Sequence, residues 1–148
     1  VISSGASSAG KLTALNSAGQ LDLSVLPTGV GPDTQSILAS EAISAGAYIN
    51  IWSNSGTANI RNADNTAVGK EAHGFVLSAV SSGTNGLVYF IGNNTAVTGQ
   101  TVGDVFLGTV GAATSTAPSG SGNLVQRLGV ATSATSINSN IQQPIVLA

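Results

Sequence analysis

The chain has no cysteine, no methionine and one histidine, and only 4 Lys or Arg and 6 Asp or Glu among 148 residues, for a net charge of −2. Each scarcity excludes something. Without cysteine there is neither a disulfide framework nor a thiolate metal site. Lys11, Arg61, Lys70 and Arg127 are too few and too scattered to neutralise a run of phosphates, so no nucleic-acid partner is expected. The same scarcity argues against an anionic membrane surface, and no apolar stretch approaches the roughly 18–20 residues a helix needs to cross a bilayer. What remains is 42% hydrophobic, with 19 glycines and abundant Ser, Thr and Asn between short apolar runs. A chain of this length buries roughly 68–70% of its unfolded surface as a single domain, and its positive mean hydropathy argues against disorder. Such a composition suits attachment and stability better than turnover.

Punctuation divides the chain near residue 32. Residues 1–10 are small and polar. Two short apolar-alternating runs, KLTAL and LDLSVLP, then flank the Gly-bearing stretch 16–20, which suits a hairpin or a bent extended arm. The segment Pro27-Thr28-Gly29-Val30-Gly31-Pro32 follows, combining residues that fix φ with residues that free it. An extended N-terminal arm is therefore expected over 1–32 and a compact β-domain over 33–148.

Past residue 33 the dominant period is two. In AYINIW, Tyr48, Asn50 and Trp52 face one way and Ile49 and Ile51 the other; Asn54-Ser55-Gly56 then turns the chain into TANIRNA. AHGFVLSAV sets His73, Phe75 and Leu77 on one face. Asn85-Gly86 reads as a turn leading into LVYFIG, followed by the runs VGDVFLG, NLVQRLGVA and IVLA. Asp33 could cap a helix, but Ile37, Leu38 and Ile43 do not sustain a 3.6-residue period, so a strand is expected there. Short strands separated by turn clusters predict an all-β fold, a barrel or a sandwich.

Chemistry-bearing residues are sparse. His73 lacks a G-x-S-x-G nucleophile among the serines and reads as a hydrogen-bonded structural residue. A glycosidase needs two facing carboxylates roughly 5–10 Å apart. Asp22, Asp33, Glu41, Asp64, Glu71 and Asp104 each lie beside a turn signal or strand edge, where capping or solvated carboxylates are the rule. The 64–71 stretch lacks the alternating oxygen ligands of a calcium loop, and Gly29-Val30-Gly31 lacks the third glycine and the lysine of a phosphate cradle. Asn93-Asn94-Thr95 matches a glycosylation sequon and is read as a tight turn. No catalytic residue, cofactor or metal is expected. Trp52 is the one large aromatic able to anchor a partner, although its place in a strand leads core packing to be expected for it first.

Three blocks carry a resemblance: S-E-x-I-x-A-G at Ser40–Gly46, A-x-G-F-V at Ala72–Val76, and V-Q-x-L-G-V-A-T-S-A-T at Val125–Thr135. With GKLTALNSAGQLDLSVLPTGVGPDT before them and LVYFIGNNTAVTGQTVGDVFLG between, nearly the whole chain resembles the capsid decoration (cement) proteins of tailed phages. Related blocks occur in head-fibre and tail-fibre modules. One departure is Gly99-Gln100-Thr101-Val102-Gly103, where relatives carry Gly-Leu-x-x-Gly. The resemblance implies a β-barrel or β-tulip-like sandwich domain, assembled as a homotrimer on the outer surface of the capsid. The arm would grip the major capsid protein, and Lys11, Leu12, Leu15, Leu21, Leu23, Val25 and Leu26 are the candidate contacts. The alternative is a head- or tail-fibre module that binds a host-surface receptor or glycan through loops 93–103 and 111–123.

Overall fold

The computed structural model describes residues 15, 19–21 and 31–148. Two units, Val1–Asp33 and Thr34–Ala148, divide the chain. In the first, Leu15 and Leu21 are exposed at 57% and 48%. The expected arm contacts Lys11, Leu12, Leu23, Val25 and Leu26 lie outside the described residues.

The second unit is all-β, as the alternating runs predict, and the described residues contain no helix. Its strands are β1 (Thr34–Ala39), β2 (Tyr48–Asn54), β3 (Thr57–Asn62), β4 (Gly74–Val76), β5 (Asn85–Tyr89), β6 (Gly92–Asn94), β7 (Gly103–Leu107), β8 (Ala113–Thr114), β9 (Leu124–Val125), β10 (Arg127–Ser133), β11 (Ser136–Ser139) and β12 (Ile145–Val146). Strands β1-β3-β2-β4-β5 close into a barrel, β6-β11-β10-β7-β8 form a second sheet, and β12-β9 form a two-stranded ribbon. Closure comes from β1, which pairs antiparallel with β5 and parallel with β3. The barrel therefore has no free edge strand.

The β2–β3 hairpin is built by its turn. Asn54 pairs with Thr57, and the two residues between them, Ser55 and Gly56, have φ of 53° and 86°. Positive φ at both central positions defines a type I′ connection, whose twist matches that of the flanking strands.

Strand β2 is buried on both faces because each faces a different core. Ile49 points into the barrel with Ile37, Ile43, Ile60, Val76 and Val88. Tyr48 points outward, with Phe75 of β4, into a second core whose other side the second sheet supplies: Val105 and Leu107 from β7, Leu128 from β10 and Ile137 from β11. Tyr48, Phe75 and Tyr89 are direct cross-strand partners on β2, β4 and β5. Their rings form a row with centroids 5.9 and 5.5 Å apart, within the range where aromatic pairs contribute about 0.5–1.5 kcal/mol beyond burial. The row is where the second sheet packs onto the barrel. A buried side-chain hydrogen bond joins the two layers at this point, between the Tyr48 hydroxyl and Ser139 Oγ at 2.7 Å.

Three local expectations need correction. Asn85-Gly86 is not a turn; both residues lie inside β5, paired with Leu38 and Ile37. The turn falls earlier, over Ser81–Thr84, where the Thr84 N–H donates to Ser81 O. Gly86 is small because a Cβ there would meet Val80 Cγ2 at 2.8 Å and Ile60 Cδ1 at 3.1 Å. Asn93 and Asn94 likewise belong to strand β6, and the LVYFIG run divides between β5 and β6. Asn94 is fully buried, its amide donating to Gly46 O and its Oδ1 accepting from the Ala96 N–H, so the turn begins one residue later than expected. Trp52, finally, belongs to neither core.

Candidate functional site

Two faces of the barrel differ in what covers them. The aromatic row lies under the second sheet. A different register row runs across the outer wall: Trp52 on β2 opposes Asn59 on β3, Asn59 opposes Leu38 on β1, and Leu38 opposes Asn85 on β5. Leu87 is the diagonal neighbour of Leu38, two residues along β5. Leu38 and Leu87 are 40% and 46% exposed, and Trp52 is half-buried. Outward-facing positions of a barrel are ordinarily polar, so leucines and a tryptophan here make a candidate interaction face.

Trp52 is held rather than loose. Its indole N–H donates to Ser40 Oγ at 3.2 Å, and the Arg61 guanidinium lies 5.0 Å from the ring centroid, in cation–π range. Arg61 is fixed in turn: Nε donates to Asn50 Oδ1 at 2.9 Å and Nη2 to Gly69 O at 2.8 Å. Asn50, fully buried, completes the chain by donating to Glu71 O at 2.8 Å. An ordered aromatic loses little rotamer freedom on docking, which suits an anchor.

Several of the other sequence-selected groups make contacts within the fold. His73 is exposed, and its Nδ1 accepts the Ile51 N–H at 2.9 Å, while its Nε2 lies 3.7 Å from Glu71 Oε1. Glu41 Oε1 accepts from the Asn62 N–H and side-chain amide, both at 2.7 Å. Asp104 pairs with Arg127 at 2.8 Å. Asp64 closes its own turn by accepting from the Thr66 N–H and hydroxyl, and its other oxygen accepts from the Val110 N–H at 3.2 Å. Burial pushes the Asp64 carboxyl up, but the Thr66 and Val110 hydrogen bonds and the Lys70 charge outweigh it and leave it below its ordinary value. Among the described residues no three His, Asp or Glu side chains group as metal ligands would.

Sequence reasoning missed two things. Glu71 and His73, two residues apart in extended chain, share a side, a spacing readable from the period-two rule. The exposed leucines of β1 and β5 carried no signal, because nothing in the sequence reveals which barrel wall the second sheet covers.

The fold defines a class, a closed five-stranded barrel with a second sheet packed on one wall. No protein-family model matches the chain, and no curated protein does. Among solved structures, the fold is similar to the N base of the head fibre gp8.5 of bacteriophage phi29, with a TM-score of 0.51 and 15% identity, covering 78% of this chain and 92% of that one.

Proposed function

We propose that the chain is a non-enzymatic structural protein of a phage virion that decorates and stabilises the outside of the mature capsid. It would act as a homotrimer whose N-terminal arm grips the major capsid protein. The observation that carries this reading is the likeness of fold to a phage head-fibre base over 92% of that chain. The outer wall, with an ordered Trp52 beside exposed Leu38 and Leu87, offers a face suited to attachment.

A cement works by mass action. Binding the expanded lattice better than any other state stabilises that lattice by RT ln(1 + [L]/Kd) per site, and many copies on one shell sum modest contacts into a large effect. An extended arm adds backbone pairing at a sheet edge of the capsid subunit. The scarcity of charge makes such attachment insensitive to salt.

The second reading, a head-fibre module that binds a host surface, is favoured by the same structural neighbour, which is itself a head-fibre base. Deleting residues 1–26 separates the two. The cement reading predicts loss of binding to undecorated expanded capsids, with the circular dichroism of the β-domain retained. Retained capsid binding by the truncated chain contradicts an arm-mediated grip, and binding of that chain to host cells supports the fibre reading.

A further inference from the structure

A cleft of about 270 Å³ opens beside the barrel, lined by Glu71, His73, Phe90, Gln126, Gln142 and Gln143 among others. Its floor is rigid. The buried Gln126 amide accepts from the Ala72 N–H at 2.7 Å and donates to Ala72 O at 3.0 Å and to Gln142 O at 2.9 Å, which spends the amide on the fold. Other lining groups are not spent. Because His73 Nδ1 accepts the Ile51 N–H, the neutral ring carries its proton on Nε2. That N–H lies 3.7 Å from Glu71 Oε1, too far for a good hydrogen bond between them. A donor and an acceptor thus stand side by side, both side chains partly exposed and neither consuming the other. The Gln143 amide adds a further donor and acceptor, and half-buried Phe90, with Ile141 and Pro144, adds apolar surface.

We propose that this cleft binds one pyranose ring of a neutral saccharide. A hydroxyl both donates and accepts, so two vicinal hydroxyls satisfy His73 Nε2–H and the Glu71 carboxylate together. The C–H face of the ring then covers Phe90. An anionic ligand is opposed by Glu71 and by the net charge of −2, and a metal ion lacks a third ligand among the described residues. The volume, close to the lower end for small-molecule pockets, suits a single ring. Cleavage is not part of the proposal, because no second carboxylate lines the cleft.

The test is a nitrogen-15 NMR titration of the full chain with methyl α-D-glucopyranoside, methyl α-D-mannopyranoside and methyl β-D-galactopyranoside. The expected result is saturable shifts from at least one of them, clustered at residues 71–73, 90 and 142–143. Glu71→Ala should weaken that binding by about tenfold or more, as losing a hydrogen bond to a charged group does. Gln143→Ala should weaken it less, and it provides a second variant should Glu71→Ala perturb the fold. The proposal is overturned if none of the glycosides gives saturable shifts. It is also overturned if the shifts cluster elsewhere, or if both variants, with otherwise unchanged spectra, titrate like the parent.

Discussion

The hydrogen bond between Tyr48 and Ser139 should couple the barrel to the second sheet measurably. The two residues are 91 apart in sequence and fully buried, and their side-chain oxygens are 2.7 Å apart. Tyr48→Phe removes the hydroxyl and leaves Ser139 Oγ buried with no partner. An orphaned buried polar group costs about 1–3 kcal/mol, whereas replacing both partners by apolar groups is close to neutral. Ser139→Ala should cost less than Tyr48→Phe, because the Tyr48 hydroxyl also interacts with Asn94. The double variant should therefore be less destabilised than the sum of the two single variants by at least about 1 kcal/mol. At about 2–4 °C per kcal/mol for a domain of this size, a cost of about 2 kcal/mol for Tyr48→Phe lowers Tm by about 4–8 °C. Urea unfolding followed by Trp52 fluorescence gives the free energies, and an unchanged slope with denaturant shows that the unfolded state is unaltered. Additivity within about 0.5 kcal/mol would refute the coupling.

Tyr48 also predicts an alkaline limit: burial, only partly opposed by its hydrogen bonds to Ser139 and Asn94, raises its pKa above the ordinary value of about 10. Its contribution is fully present below pH 10 and lost as pH rises through the folded-state value, so Tyr48→Phe should flatten the alkaline fall in urea midpoints. Asp64 gives the mirror case. Its lowered pKa contributes stability above about pH 3.9 that disappears as pH falls through the folded-state value, and Asp64→Asn should reduce that acid dependence. Gly86→Ala, which drives a methyl against Val80 and Ile60, should destabilise by about 1–3 kcal/mol in the same assay; a stabilising effect would show that the barrel interior has slack.

The strands themselves were legible because their sequences alternate, and the Ser55-Gly56 turn because its residues tolerate positive φ. Barrel closure was not. It depends on the parallel pairing of β1 with β3, and β1 carries no mark of which neighbours it takes. The two-core arrangement was hidden for a related reason: AYINIW shows apolar residues on both faces, which fits either a buried strand or a strand shared between layers. Asn85-Gly86 misled because the dipeptide is a turn former, yet Val80 and Ile60 crowd the site so closely that only glycine fits the strand. In the candidate cleft, His73 and Glu71 were both singled out from sequence, but Phe90 and Gln143 reach it from distant segments, and only the folded chain brings them together.

The most direct test of the proposed role is co-sedimentation of the purified protein with expanded, undecorated capsids, with unexpanded procapsids as the control. The account predicts saturable binding to the expanded shell alone, at a stoichiometry that matches trimers on the lattice. Absence of binding to either shell would contradict it.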